Sequence, residues 1–484
     1  MSSTAIKLTA HIVDVLGNVI GRDQPILRME KALEMVSLLG ADTFLDDNVI
    51  FFDPFCKAGE LLLACAFHSC WAKAKSKHHL LDAEMVFKEI YQSNRYFGLS
   101  PDERHHRLSR RTFLGNTHSH NEEFNHIIRD GHYLSEIDGR LDEEKFEEEF
   151  NSMIEYINAR AKNKRLIAIG NPPYQEADGG HGGSSTPIYT RFVEKIIASN
   201  KFEAMHLVIP ARWFSVGDAS LRAFRQKILA SSNIRSLTYF ERSEDIFPTV
   251  HVQGGICFLL WDKTHSGSAA FGYKDQSILA DLNQFDIIPD DPFATPIISK
   301  IIKTWKGHFH ADHAWTGKPF GLRTFYFQRN ESATSDTKDA IKCYTKGRKI
   351  KYIKRSLVEK NADKIDEWKI AVPKAYATGA RRCTLPPHQI FLIERGAICT
   401  ETYNVLCSFK TKADAERVIG YLRTDFCRYL LGLRKLTQDI PKDRWAWVPY
   451  MGTEKEYSED DLFRIFKITK EEQAHIKRKV QEWS

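Results

Sequence analysis

Two short apolar runs in this chain stop in the same way. Val49-Ile50-Phe51-Phe52 runs into Asp53-Pro54-Phe55-Cys56-Lys57-Ala58-Gly59-Glu60, and Leu166-Ile167-Ala168-Ile169 runs, across Gly170, into Asn171-Pro172-Pro173-Tyr174. Uninterrupted apolar runs of this length read as strands buried on both faces, the pattern of an α/β sheet covered by helices. The first run is followed by a tight small-residue turn and an apolar helix from Leu61 to about Trp71. In doubly wound folds that strand, turn and helix place a ligand beyond the carboxyl end of the strand, with small residues admitting close backbone approach and the helix N-terminus facing the ligand.

The second turn carries its own chemistry. Asn171 offers one acceptor and two donors, and two successive prolines lack amide protons and fix the backbone, which presents the Pro172 carbonyl as a rigid acceptor. That pair suits a planar amino group, and Tyr174 adds a flat face on which a heterocycle can stack. From these four residues alone, a proline-stiffened loop after a strand is an equal reading. The upstream turn, in this order along the chain, tips the balance towards a site.

Strand and helix alternate from about Asn48 to Lys263. Helices are expected near Ile188–Ser199 and Ala219–Leu229, and strands at Met205–Ile209, Ile234–Phe240 and Gly255–Trp261. This predicts a doubly wound, Rossmann-like sheet over residues 48–270, a helical flank over 1–47 and an α+β domain with a helical C-terminus over 271–484. A chain of 484 residues with 42% hydrophobic content buries more than one core. Gly179 to Ser185 reads as a flap or a linker after the Asn171 loop.

Charge is mildly basic, 69 Lys and Arg against 63 Asp and Glu, but it is segregated. Glu136 to Glu149 is acidic and reads as a solvated helix between core strands. Lys342 to Arg355 carries Lys346, Arg348, Lys349 and Lys351 interleaved with Tyr344 and Tyr352, which predicts a strand or hairpin with cations on one face, suited to tracking phosphates, or else a lysine-rich edge that discourages aggregation. The nine cysteines, at 56, 65, 70, 257, 343, 383, 399, 407 and 427, form no C-x-x-C pair, so neither a zinc ribbon nor a disulfide framework is indicated. His105-His106 and His118-Ser119-His120 suggest no third metal ligand. No apolar run reaches membrane-span length and no signal core opens the chain, so a cytoplasmic, nucleoid-associated protein with no membrane contact is expected.

The two motifs and their order resemble the gamma-class, S-adenosylmethionine-dependent DNA adenine methyltransferases, and in particular the methylases of type II restriction-modification systems. Ile209-Pro210-Ala211-Arg212-Trp213-Phe214, Ile246-Phe247-Pro248-Thr249-Val250, Gln253 to Lys263 and Phe320-Gly321-Leu322-Arg323-Thr324 extend the resemblance over most of the chain. It implies S-adenosylmethionine contacts at Asp53, Pro54, Phe55, Cys56, Ala58, Gly59, Asp102 and Asn116. It further implies an adenine-binding loop at Asn171, Pro172, Pro173 and Tyr174, with Tyr174 and Phe247 walling the flipped base. DNA contacts are expected at Arg323, Lys346, Arg348, Lys349 and Lys351. The partners implied are double-stranded DNA and a separate restriction endonuclease or defence-system subunit. Two departures stand out: Lys57 takes the place of the family's first turn glycine, narrowing the turn's backbone options, and Ser100 takes the place of the family's ribose-binding acid, with Asp102 as the substitute or simply the start of the next helix. The rival readings are a catalytically degenerate DNA-binding specificity subunit and an RNA guanine-amino methyltransferase.

Overall fold

The computed structural model describes residues 26–76, 83–114, 126–135, 140–161, 164–175, 187–215, 219–248, 250–252, 254–273, 276–376, 384–435 and 438–484. Asn116, Cys383, the Gly179–Ser185 stretch and the first half of the N-terminal flank lie outside these residues. The chain divides into two compact units, residues 1–288 and 289–484.

The first unit is built on one nine-stranded sheet. Its strands are β1 (Val49–Asp53), β2 (Tyr96–Ser100), β3 (Ile128–Asp130), β4 (Arg165–Gly170), β5 (Ala204–Pro210), β6 (Ile234–Phe240), β7 (Ile256–Asp262), β8 (Ala269–Tyr273) and β9 (Gln276–Ala280), in the order β3-β2-β1-β4-β5-β7-β6-β8-β9. Strands β3 to β5 run parallel, and β7 inserts antiparallel between β5 and β6. The sheet takes in β8 and β9, so it continues past the boundary expected near residue 270.

Alternate residues of each strand feed opposite cores, as the pleat requires. Ile50, Phe52, Leu166 and Ala168 pack on one face with Phe146, Phe150, Phe192 and Phe224. Val49, Phe51, Ile167 and Ile169 pack on the other with Leu33, Leu62 and Ile90. Helices α1 (Met29–Ser37), α2 (Ala41–Leu45), α3 (Glu60–Ser76), α4 (Ala83–Gln92) and α5 (Glu103–Leu114) precede β3 in the chain. Then α6 (Glu143–Arg160), α7 (Tyr189–Ala198) and α8 (Ala219–Leu229) cover the Phe52 face. The acidic stretch is only partly solvated: from Glu143 it forms the start of α6, where Phe146 and Phe150 are buried and Glu143 and Glu147 pair with Arg191 and Lys195.

The second unit is mixed α+β. Strands β10 (Ala340–Tyr344), β11 (Ile350–Lys354) and β14 (Ala397–Cys399) form one small sheet, and β12 (Trp368–Pro373), β13 (Phe391–Ile393) and β15 (Tyr403–Phe409) a second. Helices follow at Lys412–Leu422, Asp425–Arg434, Glu459–Ile465 and Lys470–Glu482. Among the described residues no helix is long and apolar enough to cross a membrane.

Candidate active site

Four neighbouring parallel strands, β3, β2, β1 and β4, deliver a polar group each to one edge of the sheet: Asp130, Ser100, Asp53 and, one residue past Gly170, Asn171. The ladder fixes their spacing, with Asp53 opposite Gly98 and Ser100 opposite Asp130. The sequence brings the two motifs together because β1 and β4 are adjacent, paired from Val49 with Arg165 to Phe52 with Ala168.

The turn after β1 is closed and held from several sides. Asp53 Oδ1 accepts the Phe55 amide at 2.9 Å, the Tyr133 hydroxyl donates to the Pro54 carbonyl at 2.7 Å, and the Cys56 amide donates to the Leu99 carbonyl at 3.0 Å. Glu60, at the start of α3, accepts the Leu27 amide at 3.3 Å and the Ala58 amide at 3.2 Å. Glycines permit this packing: a Cβ on Gly98 would stand 3.0 Å from Cys56 Sγ, and one on Gly59 would stand 2.4 Å from the Phe113 ring. Gly59 is also the left-handed residue of the turn, at φ 77°. Lys57 is not in that region, so lysine at this position does not restrict the turn, contrary to the expectation from the family pattern.

The electrostatics of the turn are dominated by burial. Burial, reinforced by Glu60, holds the Asp53 carboxyl well above the ordinary carboxylate range. Burial also raises Glu60, against backbone hydrogen bonds and Lys57. Burial pulls the Lys57 ammonium down to about 8, against the attraction of Glu60, Asp53 and Asp102.

Asp102 starts the next helix, as the structural alternative held. Its Oδ1 accepts the His105 amide at 2.8 Å and pairs with His105 Nδ1 at 2.7 Å. Burial works to raise its carboxyl, but the His105 bonds prevail and hold it below the usual value, while burial lowers the His105 imidazole. The pair is therefore a carboxylate accepting from a neutral ring, and Nε2 is left as the lone-pair nitrogen. His105 Nε2 and Ser100 Oγ are buried with no hydrogen-bond partner among the described residues.

The loop after β4 is packed inward: Asn171 is 2% exposed, Pro172 and Pro173 are buried and Tyr174 is half-buried. The Ile188 amide donates to the Tyr174 carbonyl at 3.2 Å, tying the loop to the start of α7. The Tyr174 and Phe247 rings meet edge to face, with centroids 6.4 Å apart and planes at 64°. They are neighbours, as expected, but not parallel walls.

In the second unit the basic segment is the hairpin of β10 and β11, with Lys342 opposite Tyr352 and Cys343 opposite Lys351. Its cations do not share one face, because the pleat sends Lys342 and Lys354 to one side and Lys351 to the other. Lys342 is paired with Glu394 at 3.0 Å, and Arg348 reaches the His388 carbonyl and lies 4.2 Å from the Phe391 ring centroid. Arg323, Lys346, Lys349 and Lys351 are exposed.

Sequence reasoning passed over Asp130, Tyr133 and Glu60 as site residues, and it favoured an exposed loop position for His105, which is instead fully buried in the helix Glu103–Leu114. Asp130 ends a strand of three residues, too short for periodicity to reveal. Burial raises its carboxyl, against the pull of His132.

Residues 94–247 match the family model of the Eco57I restriction-modification methylase. An uncharacterized adenine-specific methylase from Mycoplasma pneumoniae is 32% identical over 111 residues, which is 22% of this chain and 26% of that protein; the chain thus matches about a quarter of the curated relative's length. Solved structures also align with the chain at low identity. The type IIL restriction-modification enzyme MmeI in complex with DNA aligns at 11% identity over 90% of this chain and 66% of its own, with a TM-score of 0.44. A nuclease-deletion mutant of the type ISP restriction-modification enzyme LlaGI aligns at 10% identity over 86% and 45%, with a TM-score of 0.45.

Proposed function

We propose that this methylase-like chain is an S-adenosylmethionine-dependent DNA adenine methyltransferase, modifying the 6-amino group of an adenine flipped out of duplex DNA. The observation that carries the reading is the adjacency of the Asp53 turn and the Asn171 loop on the carboxyl edge of one parallel sheet.

The residues at that edge fit the methyl donor. Asp53 and Glu60 place buried carboxyl groups at the turn for the methionine end, and the orphaned Ser100 Oγ and His105 Nε2, with Asp102 and Asp130, supply hydrogen-bonding groups for hydroxyls and a nucleobase amine. When bound, S-adenosylmethionine supplies an electrophilic methyl group on a sulfonium. An exocyclic amine is a poor nucleophile because its lone pair is delocalised into the ring. Acceptance of its protons by the Asn171 side-chain oxygen and the Pro172 carbonyl draws the nitrogen towards tetrahedral geometry and aims the lone pair. Tyr174 offers the extruded base a ring face, with Phe247 behind it. Asp102, clamped by His105, is a preorganised acceptor, and Arg323, Lys346, Arg348, Lys349 and Lys351 are proposed to meet phosphates.

The test is expression in a host devoid of DNA methylation, followed by nucleoside mass spectrometry. The reading expects N6-methyladenine with the wild-type chain and none with Asn171→Ala. Methylation confined to RNA guanine would replace it with the RNA reading.

A further inference from the structure

Five titratable side chains, Asp53, Lys57, Glu60, Asp102 and His105, crowd the carboxyl ends of β1 and β2, and none is more than 3% exposed. A lysine is seldom buried so deeply unless it is paired. Lys57 is attracted by Glu60, Asp53 and Asp102, and its charge also bears on His105, which burial keeps neutral. The carboxylates are not free to follow the lysine, because backbone amides hold them: Phe55 on Asp53, Leu27 and Ala58 on Glu60, His105 on Asp102. The result is a fixed acidic cluster with a cation already inside it.

We infer that Lys57 sets the charge preference of this pocket, disfavouring a sulfonium ligand relative to the neutral thioether left when the methyl group has gone. The inference rests on the cofactor reading above. Donor and product share the adenosine and the amino-acid end, and differ at sulfur by one methyl group and one positive charge. A pocket that keeps the Asp102 carboxylate and lacks the lysine would reward that extra charge. With an ammonium in the cluster part of the reward is lost, while contacts to the shared parts are unchanged. Removing one unit charge from a partly buried site alters its affinity for a charged ligand on the order of tenfold. The enzyme is thereby made prone to retain its product.

The experiment is calorimetric titration of the full chain with S-adenosylmethionine and, separately, S-adenosylhomocysteine, for the wild type, Lys57→Met and Lys57→Arg. Lys57→Met keeps the apolar stem and removes the charge, and Lys57→Arg keeps the charge. The ratio Kd(S-adenosylmethionine)/Kd(S-adenosylhomocysteine) is expected to fall about tenfold in Lys57→Met and to stay within about twofold in Lys57→Arg. Equal movement of both constants in Lys57→Met, leaving the ratio unchanged, would make the lysine a packing element and overturn the inference. So would a shift of about tenfold in Lys57→Arg, an outcome that can be read even where Lys57→Met does not fold. Failure of the folded wild type to bind either ligand would overturn the cofactor reading itself and is recognisable as such, because no ratio would exist.

Discussion

Gly170 and Asp53 belong to different strands, yet a Cβ on Gly170 would stand 3.1 Å from Asp53 Oδ1 and 2.7 Å from the Phe55 ring. The last residue of β4 is therefore glycine because the β1 turn occupies the space a side chain needs, and the two motifs are mechanically one unit. Gly170→Ala pushes on Phe55 and on the carboxylate at once. We expect a loss of about 1–3 kcal/mol of stability from overpacking, read as a lowered urea midpoint, with weaker S-adenosylhomocysteine binding in the folded fraction.

Tyr133 holds the same turn from the β3 side. Replacing it by Phe removes the donor to the buried Pro54 carbonyl and leaves that acceptor without its 2.7 Å bond. The expected cost is about 1–3 kcal/mol, with cofactor affinity falling while the circular dichroism spectrum is retained.

His206 in β5 makes the first unit acid-sensitive. Burial pulls its imidazole down to about 3, and it is 0% exposed, edge-on to Phe258. The native state holds the ring neutral while the unfolded chain takes up a proton near pH 6.5. Its contribution is thus complete above about 6.5 and is lost progressively as pH falls towards 3. Between pH 6.5 and 5 this amounts to about 2 kcal/mol. His206→Leu should flatten that part of the stability profile, measured by denaturant unfolding at each pH.

Lys349 and Lys351 lie exposed on the β10–β11 hairpin. If they meet phosphates, the Lys349→Ala/Lys351→Ala pair weakens binding to all duplexes alike and lowers the slope of log affinity against log salt by about 2. An unchanged slope would return the hairpin to the role of a protective edge.

The parts of the fold that were legible in the sequence are those with long, uniform patterns. The Ala219–Leu229 helix and the Ile234–Phe240 strand stand where periodicity put them, and Asp53 and Asn171 were visible because each interrupts an apolar run. The illegible parts are short or depend on distant partners. Strand β3 has three residues, and β9 is a brief edge strand whose exposed residues dilute the apolar signal. The clamp of Tyr133 on Pro54 spans 79 residues, and the pressure of Phe55 on Gly170 arises only when β1 and β4 pair. For the basic segment, composition was clear but facing was not, since lysines at odd and even positions of a hairpin cannot share a side. The family pattern pointed to narrowed backbone options at Lys57, whereas the turn places its left-handed residue at Gly59.

The most direct measurement of the central claim is incubation of purified protein with tritiated S-adenosylmethionine and mixed-sequence duplex DNA, with an RNA substrate and an Asn171→Ala control alongside. The account predicts label in N6-methyladenine from DNA, reduced at least on the order of a hundredfold by the substitution. Label in RNA alone, or none anywhere from a protein that binds DNA but not S-adenosylhomocysteine, would contradict it.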